Sequence, residues 1–228
     1  MRLLVSDYDG TIEIGRLVGP SYIPRGTISN IKNFRSGGNK FMIATVRAYD
    51  SIMRDIGYYN IPYDFVSTLN GCIIHDNSGS LIYSKELPDL DMDEFHKLYS
   101  CIDKIELIKE RDKNLYYIFK TRFLNSSKRL IEHLEKSGLD VQSYFFNAYN
   151  IAHPVSDKVD SVRYIQELLD LDDNEIITVG DGLDDIEMLK NYYSYGVLKF
   201  LSNPEVIGVC NKKVKSLKDA FKYINKNI

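Results

Sequence analysis

Tryptophan is absent from this sequence, and cysteine and histidine are scarce, with three and four residues among 228. Cys72, Cys101 and Cys210 are odd in number, far apart and in no CxxC pair. That favours reduced thiols in a cytosolic setting over disulfides or a thiolate zinc site. His75, His96, His133 and His153 are equally scattered, and none falls at the spacing of an HExxH metal site. No apolar run approaches the length of a membrane span, and no charged segment leads into an apolar one as in a secretory leader. Positive charge is not in excess either: 29 basic against 32 acidic residues leave a net charge of −3. No electrostatic footprint for nucleic acid or for an anionic membrane exists. The expectation is a soluble, cytoplasmic protein, monomeric or homodimeric, long enough to bury a sizeable core. Its lysine-rich end, KKVKSLKDAFKYINKN, reads as a terminal helix with a solvated basic face rather than a membrane contact. Seventeen tyrosines are present, expected as half-buried residues with a wet hydroxyl, a few of them free to line a pocket.

Against these absences stands SDYDGT, residues 6–11, directly after an apolar run at 3–5. Alternate residues of a strand point to the same side, so Asp7 and Asp9 crowd one another at its end. Such a pair either opens a loop, as Asp and Gly commonly do, or is tolerated because a cation or a shared proton sits between the charges.

Helical and strand patterns alternate through the first third. Residues 25–36 read as a helix stopped by Gly37-Gly38, KFMIAT (40–45) as a strand, 49–56 as a helix and 64–68 as a third strand. Strands separated by helices of this length imply βαβ units and a parallel sheet. Two strand-like runs then flank Asn77-Ser78-Gly79, a hairpin signal. From about 89 to 152 the texture changes to helix, two strands, helix, two strands: an α+β unit with an antiparallel sheet. Alternation then returns, with a helix at 161–169, the strand EIITVGDG, a helix at 185–191, a short strand at 196–198, the run VIGVC and a final helix at 216–225.

A second acidic cluster, VGDGLDDIEML (179–189), again follows an apolar strand. Ligands of open parallel sheets bind beyond the carboxyl ends of the strands, where both clusters fall. If the two strands are neighbours, Asp7, Asp9, Asp181 and further acids converge, and hard oxygen ligands with nothing softer nearby suit Mg²⁺. Carboxylates with a divalent ion form half of a phosphoryl-transfer site; the other half must hold the phosphate oxygens. Thr45 at the end of KFMIAT and Lys158 beyond His153-Pro154 are candidates, although a lone lysine there also suits a solvated helix face.

DYDGT, the strand-terminal Thr45, Lys158 and GDGLDD occur in the order and rough spacing of the four motifs of the haloacid dehalogenase (HAD) superfamily of phosphohydrolases. The whole chain resembles the Cof-type branch, with LNGCIIHDNSGSLIY similar to the strand and hairpin that precede its cap. The resemblance implies an α/β fold: a Rossmann-like parallel-sheet core at 1–86 and 153–228 and a compact C2B-type α+β cap at 87–152. It implies that Asp7 is a nucleophile forming an aspartyl-phosphate and Asp9 a general acid and base. Mg²⁺ would be held by Asp7, the main-chain carbonyl of Asp9 and Asp181, with Asp185 a ligand or neighbour. Thr45, Val46, Lys158 and Asp184 would meet the phosphoryl group, while Arg47, Asn70 and the cap residues Lys120 and Arg122, beside Tyr116 and Tyr144, would meet the rest of a small phosphorylated metabolite. Two departures stand out. Val46 replaces the usual glycine of the second motif, a residue that restricts the turn, and Asp184 replaces an asparagine, adding negative charge beside the phosphate. The implied activity is a phosphatase; a phosphomutase of the phosphomannomutase kind, or a metabolite-binding regulator with weakened catalysis, are the alternatives.

Overall fold

The computed structural model describes residues 1–15, 21–121, 128–144, 149–198 and 204–225. In chain order the first elements are β1 (Leu3–Asp7), α1 (Thr27–Ser36), β2 (Lys40–Ala44), α2 (Tyr49–Tyr59), β3 (Phe65–Thr68), β4 (Ile73–Asp76) and β5 (Leu81–Ser84). Next come α3 (Met92–Leu98), β6 (Ile102–Glu110), β7 (Lys113–Thr121), α4 (Lys128–Lys136), β8 (Leu139–Tyr144) and β9 (Tyr149–Pro154). The chain ends with α5 (Lys158–Leu169), β10 (Ile176–Gly180), α6 (Ile186–Asn191), β11 (Tyr193–Val197), α7 (Pro204–Val209), β12 (Lys212–Val214) and α8 (Leu217–Ile224). Two compact units result, Met1–Ile82 with Asp157–Ile228, and Tyr83–Ser156.

The larger unit carries a sheet of order β12-β11-β10-β1-β2-β3-β4-β5. Its strands from β12 to β3 run parallel, and β4 returns antiparallel to β3. Both faces of the parallel part are covered, which is why LLVSD and IITVG read as continuous buried runs rather than as alternating ones. Leu4, Phe41, Ile43, Val66, Ile177 and Val179 form one core cluster with Ile31, Ile52, Ile56 and Phe221 from α1, α2 and α8. Each such side chain contributes roughly 1.5–3 kcal/mol when fully buried. The last helix buries Leu217, Ala220, Phe221 and Ile224, and its Lys218 and Lys222 face solvent. Among the described residues no helix is long and apolar enough to cross a membrane.

From β1 the chain moves to β2 on one side, and β10 later inserts on the other. The carboxyl ends of β1 and β10 therefore flank the point where strand order reverses, the ligand crevice of such sheets. One buried carboxylate braces the opposite end. Asp64 accepts from Arg35 Nε at 2.7 Å, Lys40 Nζ at 3.2 Å and the Phe41 amide at 3.0 Å, tying α1 to β2 and the turn before β3. Burial raises the Asp64 carboxyl, but the Arg35 hydrogen bond and these partners outweigh it and hold the group below the ordinary value.

In the smaller unit an antiparallel sheet of order β6-β7-β9-β8 packs one face on α3 and α4. Phe95, Leu130 and Leu134 from the helices meet Tyr117, Phe119, Leu139 and Ala152 from the strands. The units divide at 82/83, within β5, and at 156/157, where 86/87 and 152/153 are expected. At the second junction the cause is pairing: His153 and Pro154 are registered with Asp140 and Leu139, so β9 carries them with the small sheet. Other ends move as well. The helix expected from 161 starts at Lys158, because Asp157 accepts from the Val159 amide at 3.0 Å and caps it. The strand expected at 196–198 is Tyr193–Val197, and most of VIGVC lies in α7, ahead of the edge strand β12.

Candidate active site

Asp7 is the last residue of β1 and is almost fully buried, 5% exposed. After it the chain folds tightly back on itself: the amides of Thr11, Ile12 and Glu13 all point at the Tyr8 carbonyl, and Gly10 takes the left-handed φ of 94°. That turn sends Asp7 and Asp9 apart. The Asp9 carboxylate lies against Arg47, receiving Nε on one oxygen at 2.7 Å and Nη2 on the other at 2.5 Å. Arg47 itself is caged. Its Nη1 reaches Asp55 at 2.5 Å, its Nη2 lies 3.4 Å from Glu13, and its guanidinium carbon sits 4.8 Å above the Tyr8 ring. Burial works against this cation, but Asp9 and Asp55 outweigh it and raise its already high pKa. Engaged by three carboxylates, Arg47 braces the Asp9 side chain.

On the other side of β1, β10 ends at Gly180 and the acidic turn follows. Asp185 is fully buried, and its Oδ2 accepts the amides of Asp181 and Gly182, each at 2.8 Å. A Cβ on residue 180 would lie 2.5 Å from the Asp185 carboxyl carbon, so only glycine lets this carboxylate fold beneath the turn. Asp181 is fixed a second time by the Thr11 hydroxyl at 2.8 Å, a contact between the first and last motifs. Lys158, the first residue of α5, is fully buried. Its Nζ lies 2.7 Å from Asp7 Oδ1, 2.7 Å from Asp185 Oδ1 and 2.5 Å from Asp184 Oδ2. The solvated-face reading of this lysine is thereby excluded.

Carboxylate oxygens of Asp7, Asp181 and Asp185 lie within 4.8 Å of one another. With Asp184, four carboxylates gather here, three of which, Asp7, Asp184 and Asp185, face the Lys158 ammonium. Burial pushes Asp7 well above the ordinary value; Lys158 pulls it down, and Asp185, Asp181 and Asp184 push it up again. Asp185 is raised by burial to about 6 despite Lys158. Burial would lower Lys158, yet Asp185, Asp7 and Asp184 hold it above the ordinary lysine value. A group of hard oxygens with unbalanced negative charge fits a small divalent cation such as Mg²⁺. The side chain of Asp9 is not in this group, so only its main-chain carbonyl remains as the implied ligand.

These charges give the metal-free protein a defined response to pH. An acid whose folded pKa is raised takes up its proton in the folded state first, so its penalty is full above that pKa and disappears below it. For Asp185 the window runs from about 6 down to the ordinary 3.8. Asp64 works in the opposite sense, its stabilisation being lost as pH falls through its depressed value. Melting in the presence of EDTA is therefore expected at higher temperature at pH 5 than at pH 7.5, with a decline at stronger acidity. A monotonic fall from pH 7.5 to pH 5 would count against the charge balance described.

Thr45 follows β2 and is fully buried, its amide bonded to the Ser67 carbonyl at 2.9 Å. Its hydroxyl accepts the Arg47 amide at 3.2 Å, which leaves the O–H to donate elsewhere. The loop is braced by the next strand end: the amides of Leu69 and Asn70 reach the carbonyls of Arg47 at 3.0 Å and Thr45 at 3.2 Å. Leu69, Asn70 and Gly71 achieve this with successive left-handed φ values of 48°, 56° and 97°. For leucine that conformation costs about 1–2 kcal/mol, a strain the two hydrogen bonds help to hold. Asn70 thus contributes its main chain to the loop. Val46 has no left-handed φ, so the valine that replaces glycine is not held in the conformation that favours glycine. In the smaller unit, Lys120 is exposed on β7 and paired with Glu106 at 2.8 Å, and Lys104 contacts the same carboxylate at 2.9 Å. Tyr116 is buried on β7, and Arg122 lies outside the described residues. Thr11, Glu13 and Asp55 were not expected at the site; Thr11 had a signal, being the last residue of DYDGT, whereas Glu13 and Asp55 had none.

Comparison with known proteins agrees with this geometry. A candidate phosphatase of Buchnera aphidicola subsp. Baizongia pistaciae is 28% identical over 253 residues, covering 90% of this chain and 92% of the relative. The crystal structure of TM0651 from Thermotoga maritima superimposes with a TM-score of 0.76 at 15% identity, over 97% of each chain. The structure of BT4131, described as a sugar phosphatase of HAD subclass IIB, gives 0.68 at 15% identity over 100% of this chain and 99% of that one. These two structures share the fold, a parallel-sheet core with a separate antiparallel-sheet cap. The sequence profile of the haloacid dehalogenase-like hydrolases matches residues 4–129 and 118–220, taking in both acidic turns, Thr45 and Lys158, and the chain belongs to that family.

Proposed function

We propose that this protein is a Mg²⁺-dependent phosphatase that hydrolyses a small phosphomonoester, a sugar phosphate or a phosphoglycolate-like acid, through an aspartyl-phosphate on Asp7. The observation that carries the reading is the convergence of Asp7, Asp181, Asp185 and the buried Lys158 ammonium at the switch point of the sheet. A carboxylate oxygen of Asp7 attacks phosphorus, and the bond from phosphorus to the alcohol oxygen breaks. Asp9 gives its proton to that leaving oxygen. Water then attacks the phosphorus of the acyl phosphate and Asp9 takes the proton, which returns the Asp7 carboxylate and releases inorganic phosphate. Arg47 positions the Asp9 carboxyl with two hydrogen bonds and stabilises the charge it carries once the first step has taken its proton. The Thr45 hydroxyl, the Val46 amide and Lys158 bind and orient the phosphoryl oxygens. Asp7, Asp181 and the main-chain carbonyl of Asp9 would hold Mg²⁺, which would supply positive charge against the transferring group.

The sugar-phosphate class is supported by the description of BT4131 and by nothing more specific in this chain. Release of inorganic phosphate from a panel of phosphorylated sugars and short acids, with Mg²⁺ or with EDTA, tests the proposal. Turnover is expected with Mg²⁺ alone, and its loss in EDTA should reverse when the metal is restored. A folded protein that binds Mg²⁺ yet releases no phosphate across the panel would turn the reading towards a regulator, and formation of an isomeric sugar phosphate towards a mutase.

A further inference from the structure

Donor counting exposes a conflict inside the site. An ammonium has three N–H groups, and three carboxylates lie within hydrogen-bonding distance of Lys158 Nζ: Asp7 and Asp185 at 2.7 Å and Asp184 at 2.5 Å. The lysine is fully buried, so no further direction is open. If Lys158 is to bind a phosphoryl oxygen, as the proposed function requires, one carboxylate must leave it.

The three are not equally free to go. Asp185 has 1% side-chain exposure, with its other oxygen fastened by two main-chain amides. Asp7, 7% exposed, sits on the end of a central strand and must stay in place to attack. Asp184 is 37% exposed, and Lys158 is the one partner of its carboxylate among the described residues. Space for it is provided by Gly182, where a Cβ would overlap Asp184 Oδ1. The asparagine usual at this position would be a neutral and weaker competitor for the same ammonium.

We propose that Asp184 is a displaceable internal anion, which takes the Lys158 donor in the resting site and yields it to a phosphoryl oxygen. Incoming phosphate must break an ion pair before it forms one, and the displaced carboxylate stays near enough to repel it. Affinity for phosphate is therefore lower than an asparagine would give, and product phosphate is expelled as the carboxylate returns. This rests on the proposed function, but its test does not depend on turnover alone.

Binding of inorganic phosphate to the full chain in Mg²⁺ buffer, followed by calorimetry, is compared for the wild type, Asp184→Asn and Asp184→Ala, with turnover and product inhibition measured beside it. Both variants should bind phosphate about tenfold more tightly, and phosphate should inhibit them at correspondingly lower concentration. Equal or weaker phosphate binding by both variants, in a background where the wild type turns over, overturns the inference and leaves the proposed function standing. A wild type that neither binds phosphate nor turns over any substrate removes the proposed function, and this inference with it.

Discussion

Asp7→Asn is expected to abolish phosphate release and, in metal-free buffer, to raise the melting temperature. The two effects have one cause. Burial raises the pKa of Asp7, Lys158 beside it pulls it down, and Asp185, Asp181 and Asp184 push it up again. Holding it ionised at neutral pH therefore costs stability in the absence of a metal. An amide keeps the shape and the acceptor facing Lys158 but drops the charge. The gain should appear as a rise in melting temperature in EDTA. Turnover should fall on the order of 10⁴-fold or more, because a neutral amide oxygen cannot form the acyl phosphate. Mg²⁺ provides a second contrast: with Asp7 a ligand, as proposed, it should raise the melting temperature of the wild type more than that of the variant. Scanning calorimetry with EDTA and with Mg²⁺, beside a phosphate-release assay, reads all three effects. Undiminished turnover would remove Asp7 from the chemistry, and a lower melting temperature in EDTA would contradict the crowding of charge.

Much of this site could be read from the chain before folding, and the reason is specific. In a parallel sheet every functional loop follows a strand, so an acidic pair after 3–5 and an acidic turn after 176–179 announce both their position and their proximity. The smaller unit was legible for the same kind of reason, its change of texture being a change of period. What sequence could not convey is pairing between elements. Arg47 reads as a substrate-facing cation, and only the folded chain brings Asp9, Glu13 and Asp55 around it. No period or motif connects residues on a β1 loop to one on α2. Val46 reads as a restriction on the turn, and the folded chain shows that its φ is not the left-handed one that glycine alone takes readily. Lys158 was legible as a residue type at a helix start, but not as a fully buried ammonium, because burial depends on the turn that wraps Asp184 and Asp185 around it.

Lys158 is also where the second large effect is expected. Lys158→Met keeps the length of the side chain and removes the cation that contacts Asp7, Asp184 and Asp185. Two of these, Asp7 and Asp185, have almost no solvent to turn to. Removing one partner from a buried ion cluster costs about 3–5 kcal/mol, a large share of the stability of an ordinary domain. In Mg²⁺-free buffer at pH 7.5 the variant should therefore unfold at markedly lower urea concentration than the wild type. Acid should narrow the gap: with the lysine absent, Asp185 moves further above its present value of about 6, so protonation by pH 5.5 removes the charge that the cation had balanced. Mg²⁺ should narrow it too, since a divalent ion can replace the missing charge for stability while leaving the phosphoryl group without its ammonium. Lys158→Arg separates charge from shape, because a guanidinium restores the cation but not the compact point charge that fits a fully enclosed position. Urea unfolding of both variants at pH 7.5 and 5.5, with and without Mg²⁺, makes the comparison. A methionine variant as stable as the wild type at pH 7.5 without metal would mean that the acids around position 158 are not held ionised, and the electrostatic account of the site would fail at its centre.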